Sequence, residues 1–458
     1  MVNPSASPER PVGAHNMSFE LDFDIAEPGD TFCQQTPDLI VSSRRRRQQI
    51  LVVLSCFILT FTGCGINFAF GVYEELYEAS DGPFKNASPG AIGLIGTLAA
   101  SLMMLGAPIA GKCSRKYGPR PIVLLGGLLL ALSGIAASFG TQLWHFQVSQ
   151  GFLQGCAACL IYIPAVTVSP GYFDERRAFA MGIITSGTGF GGMVWAPFLR
   201  LLISSFGYRQ AIRATGVIAG AIVAISASTL KEVKRAAMGV LQDHDGGQSA
   251  RSRKSLIFSQ GFVSHALGTS LQAAAYMIPV YFMSSYARTL GYSRTAGANI
   301  IALSNSCNSG GKILIGYYAD RLGRLNALVL LTFISAVATL GLCYASISPI
   351  NNHLHQAWFV VYACGYGMTA GAYVSLFPAA LVEQFGTLGF TKVSGLLYMI
   401  RGLGTLVGTP LGGALVRHAI HWEGATVSST FDRTFLFVGL LLFGATISLS
   451  WARCLKQA

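Results

Sequence analysis

Two basic residues lie inside long apolar runs, Lys312 in the run 295–317 and Arg401 in the run 393–416. A charge near the middle of a bilayer costs at least about 2.5–3.5 kcal/mol, so each side chain is expected to face a polar cavity or a partner. No Asp or Glu stands in the middle of any apolar run, and Asn308, one helical turn before Lys312, is neutral. In a fold that turned both toward one cavity, the two unpaired cations would repel each other, and a bound anion would relieve that repulsion. Arg grips a carboxylate through two parallel hydrogen bonds and Lys adds a point charge. Lys312, Arg401 and Asn308 are therefore the candidate substrate-binding residues, with Tyr276, Tyr281, Tyr373 and Tyr398 as an apolar wall or as core. The alternative for Arg401 is bonding to helix carbonyls that only steadies the bundle.

Other chemistry lacks its residues. The apolar runs hold no Ser-His-Asp arrangement, paired carboxylates or metal-ligand cluster, and His145 and His265 stand alone near run ends. Cys156 and Cys159 form a lone CxxC, while a zinc site needs four ligands. The glycine spacing of 187–192 has no strand before it, which argues against nucleotide binding. The expectation is a protein without metal, cofactor or enzymatic activity. Glycine-rich stretches at 186–192 and 404–413 read as close helix packing that also permits bending during a transport cycle.

A second set of charged residues sits between apolar runs. Residues 316–324 read GYYADRLGR, and residues 111–120 read GKCSRKYGPR, 205 positions earlier. Both begin with Gly, carry a basic residue at the sixth position and Gly at the eighth. The repeat points to two homologous halves, each with a tight charged turn between its second and third membrane helices. Gly111, Arg115, Gly118 and Arg120 in one half, and Gly316, Asp320, Arg321, Gly323 and Arg324 in the other, are candidate gating residues, joined by Glu175, Arg176 and Arg177. Arg115 stands where the second copy has Asp320, and Glu175 precedes paired arginines; the opposite signs suggest an Arg115–Glu175 ion pair.

The elements that must hold these residues are membrane helices. Of 458 residues 52% are hydrophobic and only 11% charged, with a mean hydropathy of +0.50, where soluble domains carry about 25% charge. Twelve apolar runs approach the ~20 residues a bilayer requires: 50–72, 90–110, 121–139, 146–168, 178–203, 211–230, 261–286, 295–317, 325–347, 357–381, 393–416 and 434–451. With both termini in the cytosol, 21 Lys and Arg from residue 44 onward fall on the inner side and 8 on the outer. That asymmetry explains the net charge of +12 better than nucleic-acid binding does. The expected organisation is a disordered cytosolic tail at 1–43, a six-helix bundle at 44–230, a flexible cytosolic linker at 231–255 and a second bundle at 256–454. Arg44 to Arg47 fix the first helix start inside. Asn86-Ala87-Ser88 is a glycosylation sequon in the first outer loop, disfavoured by Pro89.

The pattern Gly316, Asp320, Arg321, Gly323, Arg324 resembles the cytosolic signature of the major facilitator superfamily. The first-half copy, with Tyr172 to Gly182 (YF-x-x-RR-x-x-A-x-G), is similar to fungal members of its monocarboxylate-porter branch. The similarity runs from 50 to 454, leaving out the linker. It implies an all-α membrane protein of two six-helix bundles. It also implies a secondary transporter in the plasma membrane moving a small solute by alternating access, either a monocarboxylate-like substrate or a secondary metabolite in efflux. A non-transporting sensor or scaffold of the same fold is the alternative. Some animal monocarboxylate carriers place a Lys in the first helix, near where this chain has Asn67 and Phe68; the same carriers place Asp and, four residues on, Arg in the eighth, where it has Asn308 and Lys312. A coupling proton is implied by the branch, but its helix carboxylate is absent here.

Overall fold

Inside a bilayer every backbone N–H and C=O must be satisfied within the chain, and runs of apolar residues therefore fold as helices. The computed structural model describes residues 30–78, 82–84, 87, 89–173, 176–230, 256–347, 352–420 and 429–457. Among the described residues each expected apolar run falls on a helix, and there is no strand. Helix α1 (Asp30–Gly63) is followed after short breaks by α2 (Gly65–Phe68) and α3 (Gly71–Glu78), the three making the first span. Then come α4 (Pro89–Leu105), α5 (Ala107–Tyr117), α6 (Pro119–Ser138) and α7 (Leu143–Phe146). A π-helical turn (Gln147–Leu153) leads into α8 (Gln154–Val168), and α9 (Arg177–Phe206) and α10 (Tyr208–Thr229) complete the first half. The second half comprises α11 (Gln260–Thr289), α12 (Arg294–Leu322), α13 (Arg324–Ile347), α14 (Asn352–Ile420) and α15 (Ser429–Gln457).

Three features differ from the sequence reading. The tight turns expected over 111–120 and 316–324 are shorter than those segments, because helix continues through Tyr117 and Leu322 and the chain reverses only at Gly118 (φ 89°) and Gly323 (φ 90°). Glycine takes that left-handed conformation without a Cβ penalty, so a single residue makes each turn. Two expected spans, 357–381 and 393–416, share the 69-residue α14, broken only at Gly386 (φ 69°). Helix is also present from Asp30, upstream of the apolar run, since extending a formed helix needs no new nucleus. Residues 1–29 of the expected tail, the linker 231–255, Asn86 and Glu175 lie outside the described residues.

Eight described helices are long and apolar enough to cross a membrane, or nine when α4 and α5, bent by 47° at Gly106, count as one span. Division of α14 at Gly386 adds another. Helices α11 and α12 fall short of the apolar criterion because they carry polar residues such as Gln272, Asn305, Asn308 and Lys312. Those residues are tolerable in a membrane only when turned to the protein interior.

Within the first half α6 packs on α10 and α8, and α4 on α8; within the second, α11 packs on α14 and α15, and α13 on α15. The halves meet where α9 lies along α12 and where α4 and α5 lie along α14. Small residues permit the first of these seams. A Cβ on Gly182 would overlap the Lys312 carbonyl, and one on Gly189 would overlap the Ser309 hydroxyl. The packing role expected of the second glycine-rich stretch is met on α11, where Gly404 and Gly408 face the Ser270 and Ala274 carbonyls.

Candidate functional site

Lys312 lies on α12 at this seam, 1% exposed. Its Nζ donates to Thr188 Oγ1 at 2.7 Å and to the Thr185 carbonyl at 3.2 Å, both on α9 of the other half. The expectation of an unpaired Lys312 is thus corrected: neutral oxygens take two of its three N–H groups, although no described carboxylate balances its charge. The cation remains buried within electrostatic reach of Arg401 and Cys64.

Arg401 is 2% exposed. Its guanidinium sits over the Tyr373 ring at 5.0 Å and the Phe377 ring at 5.9 Å, both on the first limb of α14. Ring quadrupoles attract a desolvated cation by about 2 kcal/mol, so the stack holds the charge without neutralising it. Nη1 of Arg401 is buried with no hydrogen-bond partner. Tyr398 stands one turn earlier on the same limb as Arg401, edge-on to Phe377 at 5.4 Å and to Tyr162 of α8 at 6.3 Å. Asn308 donates through Nδ2 to the Tyr276 hydroxyl at 3.1 Å, and its Oδ1 is buried and unpartnered. Both polar atoms of Gln272, one turn before Tyr276 on α11, are likewise buried and unpartnered. The structure therefore brings Lys312, Arg401, Asn308, Tyr276, Tyr373 and Tyr398 toward one interior region. Tyr281 lies within electrostatic reach of both Tyr276 and Glu74 of α3.

Such a region suits a solute carrying negative charge. A buried polar group left unmatched costs about 1–3 kcal/mol, more when charged, and an anion would satisfy Arg401 Nη1 directly. Tyr162, Gln272, Thr185 and Thr188, which border this region, were not legible in the sequence. They are neutral, and along an apolar helix nothing separates them from ordinary packing.

Of the gating candidates, Asp320 and Arg321 lie in the last turn of α12 and Arg177 in the first turn of α9. The Asp320 carboxylate accepts from the Ala178 and Phe179 backbone N–H groups at 3.0 and 2.8 Å, at the N-terminus of α9. It also accepts from Arg324 Nε at 2.9 Å. Gly316 permits this approach, since a Cβ there would meet the Ala178 carbonyl at 2.6 Å. Arg115 donates across the halves to the Thr391 carbonyl at 3.2 Å. Arg177 is buried and donates to the Pro170 carbonyl at 2.8 Å, whereas Arg176 is exposed. Arg321 is exposed, resting on the Tyr317 ring at 4.7 Å. Gly111 lies inside α5 and half-buried Arg120 in the first turn of α6. Glu383 escaped the sequence reading: its carboxylate accepts from the N–H groups of Arg324 and Leu325, at the start of α13, and from Lys456 Nζ at 2.6 Å.

Comparison with known proteins agrees with this architecture. The profile of the Major Facilitator Superfamily matches residues 50–409. Monocarboxylate transporter 11 of Homo sapiens is 28% identical over 374 residues, covering 79% of this chain and 75% of that protein. An MFS-type transporter of Gibberella moniliformis is 26% identical over 395 residues, covering 85% and 88%. Among solved structures, the proton:xylose symporter XylE bound to 6-bromo-6-deoxy-D-glucose superposes with a TM-score of 0.64 at 14% identity, covering 88% of this chain and 96% of the other.

Proposed function

The chain belongs to the Major Facilitator Superfamily, and from that membership we propose that this multi-pass secondary transporter carries a small organic anion through a site alternately opened to either side. The observation that carries the anion reading is Arg401, a buried cation stacked on two rings with Nη1 unpartnered. In this reading Arg401 binds the carboxylate, Lys312 supplies a second positive charge and Asn308 a hydrogen bond. The name of the human relative favours a monocarboxylate-like solute. The bundles extend over 44–230 and 256–454 in the plasma membrane, with the tail, the linker and both termini in the cytosol. The site performs binding and release and makes no bond. With Asn308 in place of a helix carboxylate, anion movement does not route a proton through α12.

Purified protein in liposomes should accumulate labelled benzoate or L-lactate. Arg401→Gln and Lys312→Gln should each lower the rate by tenfold or more at unchanged abundance, since each removes a buried charge-assisted contact. Wild-type rates in both variants, or transport confined to a cation, would reject the anion site.

A further inference from the structure

Lys312, Arg401 and Asn308 all belong to the second half, yet a site that two rocking halves expose alternately must be gripped by both. We propose that the hydroxyls of Tyr162 and Tyr398 bind the transported anion, Tyr162 being the contact made by the first half. Tyr162 on α8 and Tyr398 on α14 are each 1% exposed, and neither hydroxyl has a hydrogen-bond partner. Their rings meet edge to face across the two halves at 6.3 Å and 89°. Arg401 acts electrostatically on both.

Buried tyrosine hydroxyls ordinarily find partners; among the described residues Tyr373, under the Arg401 guanidinium, is the one other tyrosine whose buried hydroxyl lacks one, whereas three others are matched. Tyr77 donates to Gln150 at 2.8 Å, Tyr286 meets His355 at 2.9 Å, and Tyr366 donates to the Tyr276 carbonyl at 3.1 Å. Two unmatched hydroxyls, from opposite halves and beside a guanidinium with an unmatched N–H, form a donor set for one group. A carboxylate has two oxygens and about four lone-pair directions, enough for one guanidinium N–H and two phenol O–H donors. The hydroxyls are then satisfied when solute is bound and unsatisfied when it is absent, a difference that favours the loaded carrier.

The proposal rests on the anion reading of Arg401, and the test separates the two. Tyr162→Phe and Tyr398→Phe each remove one hydroxyl and keep the ring. Because no protein partner is lost, the ligand-free melting temperature should not fall. The apparent dissociation constants for benzoate and L-lactate, read from ligand-induced stabilisation, should rise roughly tenfold, with KM following and turnover little changed. If Arg401→Gln loses binding while both Phe variants keep wild-type affinity, this assignment is wrong and the anion site stands. If the Phe variants melt several degrees lower without ligand, the hydroxyls serve the fold and the assignment is equally wrong. If neither anion binds the wild-type protein, the anion reading falls and this assignment with it.

Discussion

Asn308 and Lys312 differ by one helical turn, and the missing charge at position 308 defines the chemistry of α12. A carboxylate there would face Lys312 and weaken its pull on an anion. Asn308→Asp is nearly isosteric, which matters because Gly371 leaves no spare room beside this side chain. At neutral pH the new carboxylate should neutralise Lys312 and repel the solute, raising KM for benzoate about tenfold. As the pH falls and the carboxyl takes up a proton, repulsion disappears and uptake should recover. The variant should thus gain a rise in uptake at low pH, relative to wild type, in liposomes with pH equal on both sides. An unchanged pH profile would show that position 308 does not face the site. The charged members of the proposed site were legible in the sequence, because a cation in an apolar run demands a reason. The hydroxyls and amides around them were not, since Tyr162, Thr188 and Gln272 carry no charge and only their neighbours in space distinguish them.

Helix termini explain the charged signature better than loops do. Asp320 reaches from the end of α12 to the first N–H groups of α9, in the other half, where unpaired donors and the helix dipole favour a carboxylate. Glu383 does the same for α13, within its own half. The two carboxylates therefore predict opposite phenotypes. Asp320→Asn should lower turnover severalfold by weakening the arrangement in which the halves are closed at this end, with melting temperature and abundance nearly unchanged. Glu383→Gln should leave the ratio of inward to outward states alone and destabilise its half by about 1–2 kcal/mol, seen as a lower melting temperature. Identical phenotypes in the two variants would contradict this division. The repeat of Gly and basic residues revealed where these turns fall. It could not reveal that Asp320 pairs 142 positions away with Ala178, because such a contact exists only once the halves are docked.

At the scale of the whole molecule, one series of contacts between the halves runs from the Asp320 end of α12 to the middle of that helix. Its members are Asp320 on α9, Lys312 on Thr188 and Ser306 on Met193, joined by Arg115 on Thr391. Opening of the halves at the Asp320 end must break this series, and Lys312 is the member that also lies beside the proposed anion site. An anion arriving at Arg401 offers Lys312 a charged partner in place of the Thr188 hydroxyl and the Thr185 carbonyl. Loaded carrier should therefore release the seam more readily than empty carrier. Thr188→Val removes one of the two neutral partners without touching a charge. A hydrogen bond to a charged group contributes about 1.5–3 kcal/mol, so its loss should speed return of the empty carrier by tenfold or so while leaving loaded movement nearly constant. Uptake into solute-free liposomes, limited by that return, should rise toward the rate of equilibrium exchange for labelled benzoate. A ratio of the two rates equal to that of wild type would mean that Lys312 does not restrain the empty carrier, and that the seam is held by Asp320 and its neighbours alone.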